Sequence, residues 1–68
     1  METMEITTPS IRLGQLLKLA NLVGTGSDAK AVLASELVMV NGAVETRRGR
    51  QLVRGDVVRL GDVEVRVG

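Results

Sequence analysis

Sixty-eight residues allow one small domain with a thin core. The absence of cysteine and histidine removes disulfides, thiolate nucleophiles, zinc-finger ligand sets and the usual neutral-pH acid or base, and the absence of Phe, Tyr and Trp leaves no aromatic platform for stacking single-stranded bases. The net charge of +1 hides an asymmetry, because Glu2 and Glu5 precede Ser10 and from Ser10 onward nine cations face six acids.

Met1 to Pro9 is polar and aperiodic. It reads as a flexible N-terminal tail or a single extended strand, so the chain divides into a tail over 1–9 and a folded domain over 10–68. No basic region runs into an apolar segment here, and no stretch nears the roughly 18 apolar residues of a membrane span. A soluble, cytoplasmic, monomeric protein with no membrane contact and no cofactor is expected.

Ser10 suits the N-cap of a first helix from Ile11 to about Leu22, in which Leu13, Leu16, Leu17, Ala20 and Val23 repeat at helical spacing. Gly14, Gln15, Lys18 and Asn21 fall on the opposite, wetted face. Gly24-Thr25-Gly26 ends this helix, and Ser27 caps a second with Asp28 in its first turn, at the positive end of the helix dipole. Ala29, Val32, Leu33 and Leu37 form its apolar stripe. The free amides at its start could hold a phosphate, although an ordinary helix boundary is the simpler account.

From Val38 the period changes to alternation. Val38-Met39-Val40, Ala43 to Thr46, Val57 to Leu60 and Val63 to Val67 read as four short strands. Asn41-Gly42 is the favoured pair for a two-residue hairpin turn, Gly61-Asp62 joins the last two strands, and Gly55-Asp56 is a turn just before them. The predicted class is α+β, a two-helix hairpin packed on a small antiparallel sheet of about four strands.

Arg47, Arg48, Arg50 and Arg54 follow the first hairpin with no acid among them. A guanidinium is a planar fork of donors that stays charged at any working pH, which is what phosphate recognition requires. The competing account is a solvated loop serving solubility. Glu36 and Glu45 are the nearest carboxylates; with no partner base and no evident pocket they read as surface ion pairs, and no catalytic residue or metal ligand set emerges. Arg59 and Arg66 alternate with valines on the solvent face of the last hairpin.

Helix, helix and antiparallel sheet, with Val-Asn-Gly between the first strands and Gly-Asp-Val-Val before the last hairpin, resembles the RNA-binding domain named after ribosomal protein S-four, also called the alpha-L motif. Arg12-Leu13, Ser27, Lys30, Ala31, Val38 to Gly42 and Leu52 to Val58 carry the likeness, which runs from Ile11 to Val67. The chain is most similar to short stand-alone bacterial members in which Gly-Ala-Val-Glu-Thr-Arg precedes further basic residues. It departs from the family at Gly14, where an acid is common, and at Asp28 and Lys30, where paired arginines are common.

The resemblance implies a non-catalytic protein that binds structured RNA, ribosomal or transfer, through backbone phosphates and shape. Its implied contacts are Arg12, Ser27, Lys30, Arg47, Arg48, Arg50 and Arg54, with ribosome-associated work in translation and contacts to ribosomal proteins as a further option. Replacing Arg47, Arg48 and Arg50 together is expected to leave the fold intact, since all three lie outside the apolar stripes. The family also contains domains attached to pseudouridine synthases and aminoacyl-tRNA synthetases, but no such catalytic domain fits this length. Two alternatives come from other classes. One is a protein-docking module using Leu19 and Leu22; the other is a sulfur-carrier-like protein of ubiquitin-resembling fold, which shares Val-Asn-Gly and a glycine end.

Overall fold

In a computed structural model that describes residues 1–68, nine elements follow one another: β1 (Glu2–Met4), β2 (Ile11–Arg12), α1 (Leu13–Leu19), α2 (Gly26–Ala34), β3 (Val38–Val40), β4 (Ala43–Val44), β5 (Gln51–Leu52), β6 (Val57–Leu60) and β7 (Val63–Val67). Five strands form one sheet in the order β1-β7-β6-β3-β4, and β2 and β5 form a separate antiparallel pair. The expected α+β class holds. The sheet is mixed, however, because β1 runs parallel to β7 with Glu2 opposite Val65 and Met4 opposite Val67.

Of the two forms open to residues 1–9, residues 2–4 take the strand. Ile6 follows it into the core at 8% exposure, and Gly68 ties the ends together, its N–H donating to the Met4 carbonyl at 2.9 Å while its own carbonyl accepts from Ile6 N at 3.1 Å.

Both helices differ at their ends from the sequence expectation, through long-range pairing at the start of α1 and through local capping and positive-φ residues elsewhere. Ile11 and Arg12 are extended, not helical, because they pair with Leu52 and Gln51. The helix therefore starts at Leu13. Two of its orphan donors are satisfied from across the fold: Leu13 N donates to the Arg50 carbonyl at 2.8 Å and Gly14 N to the Arg48 carbonyl at 3.0 Å. Gln15 Oε1 accepts from the N–H of the capping residue, Arg12, so Ser10 plays no capping part. Asn21 takes φ +58, a left-handed conformation that asparagine tolerates, and stops the helix before Leu22.

In α2 the cap is Thr25 rather than Ser27. Its Oγ1 accepts from Asp28 N at 3.2 Å and its carbonyl from Ala29 N at 3.0 Å. Glu36 at φ +62 turns the chain out of the helix. That turn leaves Leu37 60% exposed and removes it from the stripe in which the periodicity placed it.

The hairpin signals are realised. Asn41 and Gly42 have φ +51 and +85, as a primed two-residue turn demands. Asn41 also clasps the turn before β6: its N–H donates to the Val57 carbonyl at 2.8 Å, its Oδ1 accepts from Val57 N at 2.9 Å, and its Nδ2 donates to Asp56 Oδ1 at 3.1 Å. The Val-Asn-Gly and Gly-Asp-Val segments are thus two halves of one hydrogen-bonded unit.

Alternating valines of the sheet meet the helices on one face. Leu13, Leu16 and Leu17 of α1, Ala29 and Leu33 of α2, and Val38, Val40, Leu52, Val58 and Val67 close a continuous apolar core. Each large side chain buried there contributes on the order of 1.5–3 kcal/mol, and Leu52 brings the chain that follows the β4–β5 loop into the same core.

Candidate functional site

The β4–β5 loop, residues 45–50, holds Arg47, Arg48 and Arg50, and its centre is an acid. Glu45 is only 6% exposed. Its Oε2 accepts from Thr46 N, Arg47 N and Arg47 Nε, and its Oε1 from Arg47 Nη2 and Arg50 Nη1, at 3.0–3.2 Å. The side-chain hydrogen bonds of Arg47, followed by its backbone N–H and the Arg50 side chain, outweigh burial and bring the carboxyl from 4.5 down to about 2. The same bond raises Arg47 above its ordinary value.

Glu45 is therefore a buried anchor of the loop, not a surface ion-pair partner. This corrects the expectation that Arg47, Arg48 and Arg50 can be removed together at no structural cost, because the triple replacement would leave a buried carboxylate without its cations.

Arg54 is also engaged. Its Nη2 donates to the Ile6 carbonyl at 2.7 Å and fastens the N-terminal segment to the body of the domain.

Arg48 is the arginine of this loop with no ion pair and no side-chain hydrogen bond. Its stem lies against Gly14, where a Cβ would fall 2.5 Å from Arg48 Cγ and 3.2 Å from Cδ. A glycine inside a helix weakens it by about 1 kcal/mol relative to alanine. Here it makes room for the arginine.

Arg48 then lines a recess of about 390 Å³ between the start of α1, the start of α2 and the loop. Arg12 and Lys18 line it from the α1 side, Gln15 lies between them, Gly26 of α2 closes the far side, and no carboxylate faces it. Gly26 is the first residue of α2, so its N–H has no intrahelical acceptor, and it lies at the positive end of the helix dipole.

The seven residues expected to contact a ligand thus divide. Arg12 and Arg48 meet in the recess. Ser27 and Lys30 are exposed on α2 beside it without lining it. Arg47 and Arg50 are turned onto Glu45, and Arg54 onto the N-terminal segment. Lys18 was missing from the expected set, because a lysine on the polar side of an amphipathic helix looks like ordinary solvation. The signal that could have found it was Gly14, four residues earlier on the same face, whose missing side chain marks a close approach.

Gly68 is hydrogen-bonded through both backbone groups, unlike the free glycine tail that carrier chemistry uses. Leu19 is 58% exposed, whereas Leu22 packs against the core, so the two do not form a shared docking face. Among the described residues no carboxylate cluster could hold a metal ion, and no helix is long and apolar enough to cross a membrane.

These features define a two-helix, mixed-sheet domain with a cationic recess. The chain belongs to the S4 domain family, whose model matches residues 4–68. It is 46% identical over 57 residues to RlbA of Bacillus subtilis (strain 168), described as a probable ribosome maturation protein, with 84% of this chain and 80% of that one covered. It is 39% identical over 59 residues to YbcJ of Escherichia coli (strain K12), covering 87% of this chain and 84% of YbcJ. The solution structure of YbcJ, reported to reveal an alfaL motif involved in RNA-binding, superposes with a TM-score of 0.74 at 37% identity, over 98% of this chain and 86% of that one.

Proposed function

We propose that this protein binds structured RNA without catalysing a reaction, as a cytoplasmic monomer that needs no cofactor, and that it grips the RNA by its phosphate backbone and shape. The observation that carries this reading is the recess in which Arg12, Lys18 and Arg48 come together with no acid. The stem of Arg48 is packed against Gly14, so less of its freedom is lost when a phosphate arrives. Arg12 and Arg48 offer planar forks for phosphate oxygens, Lys18 a point charge, and the start of α2 free amide donors. Lys30 extends the positive strip along α2.

With no aromatic side chain to stack on, sequence would be read weakly, and the shape of a folded RNA would decide the fit. The description of the Bacillus relative favours ribosomal RNA over transfer RNA as the target.

The test is binding of purified protein to ribosomal RNA across a salt series. Contacts by Arg12, Lys18, Lys30 and Arg48 give a log-log slope of roughly −3 to −4. Failure to bind at low salt would remove the proposal and leave the arginines as a solvated loop.

A further inference from the structure

We infer that Glu45 is a positioning residue for RNA binding: by holding Arg47 and Arg50 it fixes the β4–β5 loop so that Arg48 lies over Gly14 and enters the recess. The inference rests on the RNA-binding reading, but its evidence is separate. The carboxylate of Glu45 ties together the loop's own backbone, through Thr46 N and Arg47 N, and two of its side chains, Arg47 and Arg50. The carbonyls of that same loop then dock on α1, since Arg48 O accepts from Gly14 N and Arg50 O from Leu13 N. Between these two fastenings stands Arg48, with no partner for its guanidinium.

An acid within the basic loop of a phosphate-binding protein is otherwise hard to account for, since it subtracts attraction for RNA. It is also the most buried charged residue of the molecule. A carboxylate kept there, with two of the loop's arginines committed to it, makes sense if order in the loop is worth more to binding than the charge it cancels. The arginine cluster then has two jobs. Arg47 and Arg50 hold the loop, and Arg48 meets the RNA.

The two accounts of Glu45 predict opposite signs. In Glu45→Gln one negative charge disappears and two arginines are released, so electrostatics alone makes RNA binding tighter and its salt dependence steeper. Loss of positioning makes binding weaker, by about fivefold or more, the scale of one lost charge-assisted contact. The experiment measures ribosomal RNA affinity of the parent and of Glu45→Gln over a salt series, together with the backbone amide NMR shifts of both free proteins. The inference expects weaker binding, with shifts moving at Arg48, Gly49 and Gly14. Unchanged or tighter binding overturns it.

Should Glu45→Gln not fold, the doubly conservative Arg47→Lys/Arg50→Lys keeps the net charge while removing the forked grip on Glu45. Weaker binding with displaced Gly14 and Arg48 amides in the free protein is then expected, and unaltered amides or unaltered affinity overturns the inference. A parent that binds no RNA defeats the functional reading itself, and the amide shifts of the free proteins still report whether Glu45 holds the loop.

Discussion

The side chain that Gly14 lacks would collide with Arg48, its Cβ falling 2.5 Å from Arg48 Cγ. The two residues are 34 positions apart in the chain, and the Gly14 N–H donates to the Arg48 carbonyl at 3.0 Å, so backbone and side chain are set at the same place. Gly14→Ala should displace the arginine stem from the recess. Alanine gains up to about 1 kcal/mol of helix propensity, and the clash with a flexible side chain costs a similar amount, about 1 kcal/mol. Stability measured by urea unfolding is expected to change little, while RNA affinity falls. An affinity equal to the parent's would show that Arg48 does not act from this position.

The Asn41 clasp can be divided by two substitutions. Asn41→Gly keeps the left-handed backbone and loses the side-chain bonds to Asp56 and Val57, for a destabilisation of about 1–2 kcal/mol. Asn41→Ala loses the same bonds and adds about 1 kcal/mol of left-handed strain at φ +51. Chemical denaturation should rank the parent above the glycine variant and the glycine variant above the alanine variant. The reverse order of the two variants would mean that the turn conformation is not what asparagine supplies.

Acid should unfasten the loop before it melts the core. Glu45 lies well below its ordinary range because of its bonds to Arg47 and Arg50, and Asp56 is lowered by the Val53 N–H and the Asn41 side chain. A carboxyl whose folded value is depressed stabilises the fold fully above its unfolded value and loses that contribution as pH falls through the folded one. For Glu45 the window runs from about 4.5 down to about 2. Urea midpoints taken from pH 7 to pH 2 should therefore drop over this window, and Glu45→Gln should drop less steeply from a lower start. Identical slopes for the two proteins would contradict the assigned role of Glu45.

Arg54 gives a prediction against the sequence expectation. Its bond to the Ile6 carbonyl makes it a fastening of the N-terminal segment, so Arg54→Ala should speed amide hydrogen exchange in β1 and around Ile6 and cost about 1 kcal/mol. RNA affinity should fall far less than in a variant of Arg48. An equal fall would return Arg54 to the RNA surface.

How far the sequence discloses this molecule follows the range of the forces involved. The Asn41-Gly42 turn, β6 and β7 and the leucine stripe of α1 are fixed by local chemistry, namely positive φ, alternation and helical spacing, and all were legible. The start of α1 was not, because carbonyls of Arg48 and Arg50 cap it from more than thirty residues away and β5 holds Ile11 extended. The parallel pairing of β1 with β7 joins the two ends of the chain, and no periodicity in residues 2–4 announces it. At the site, the cluster of arginines was visible as composition. Which of them are free was not, since that depends on a glutamate that folds beneath them and on a glycine in a distant helix.

The most direct test sets two variants of equal charge side by side. Arg12→Ala/Arg48→Ala removes two of the three cations of the recess, whereas Arg59→Ala/Arg66→Ala removes the same charge from the exposed face of β6 and β7. With ribosomal RNA over a salt series, the recess variant should bind weakly and its log-log slope should be shallower than the parent's by about 2, while the sheet variant stays close to the parent. Equal losses in both would contradict a defined interface at the recess and leave only diffuse attraction between a basic domain and RNA.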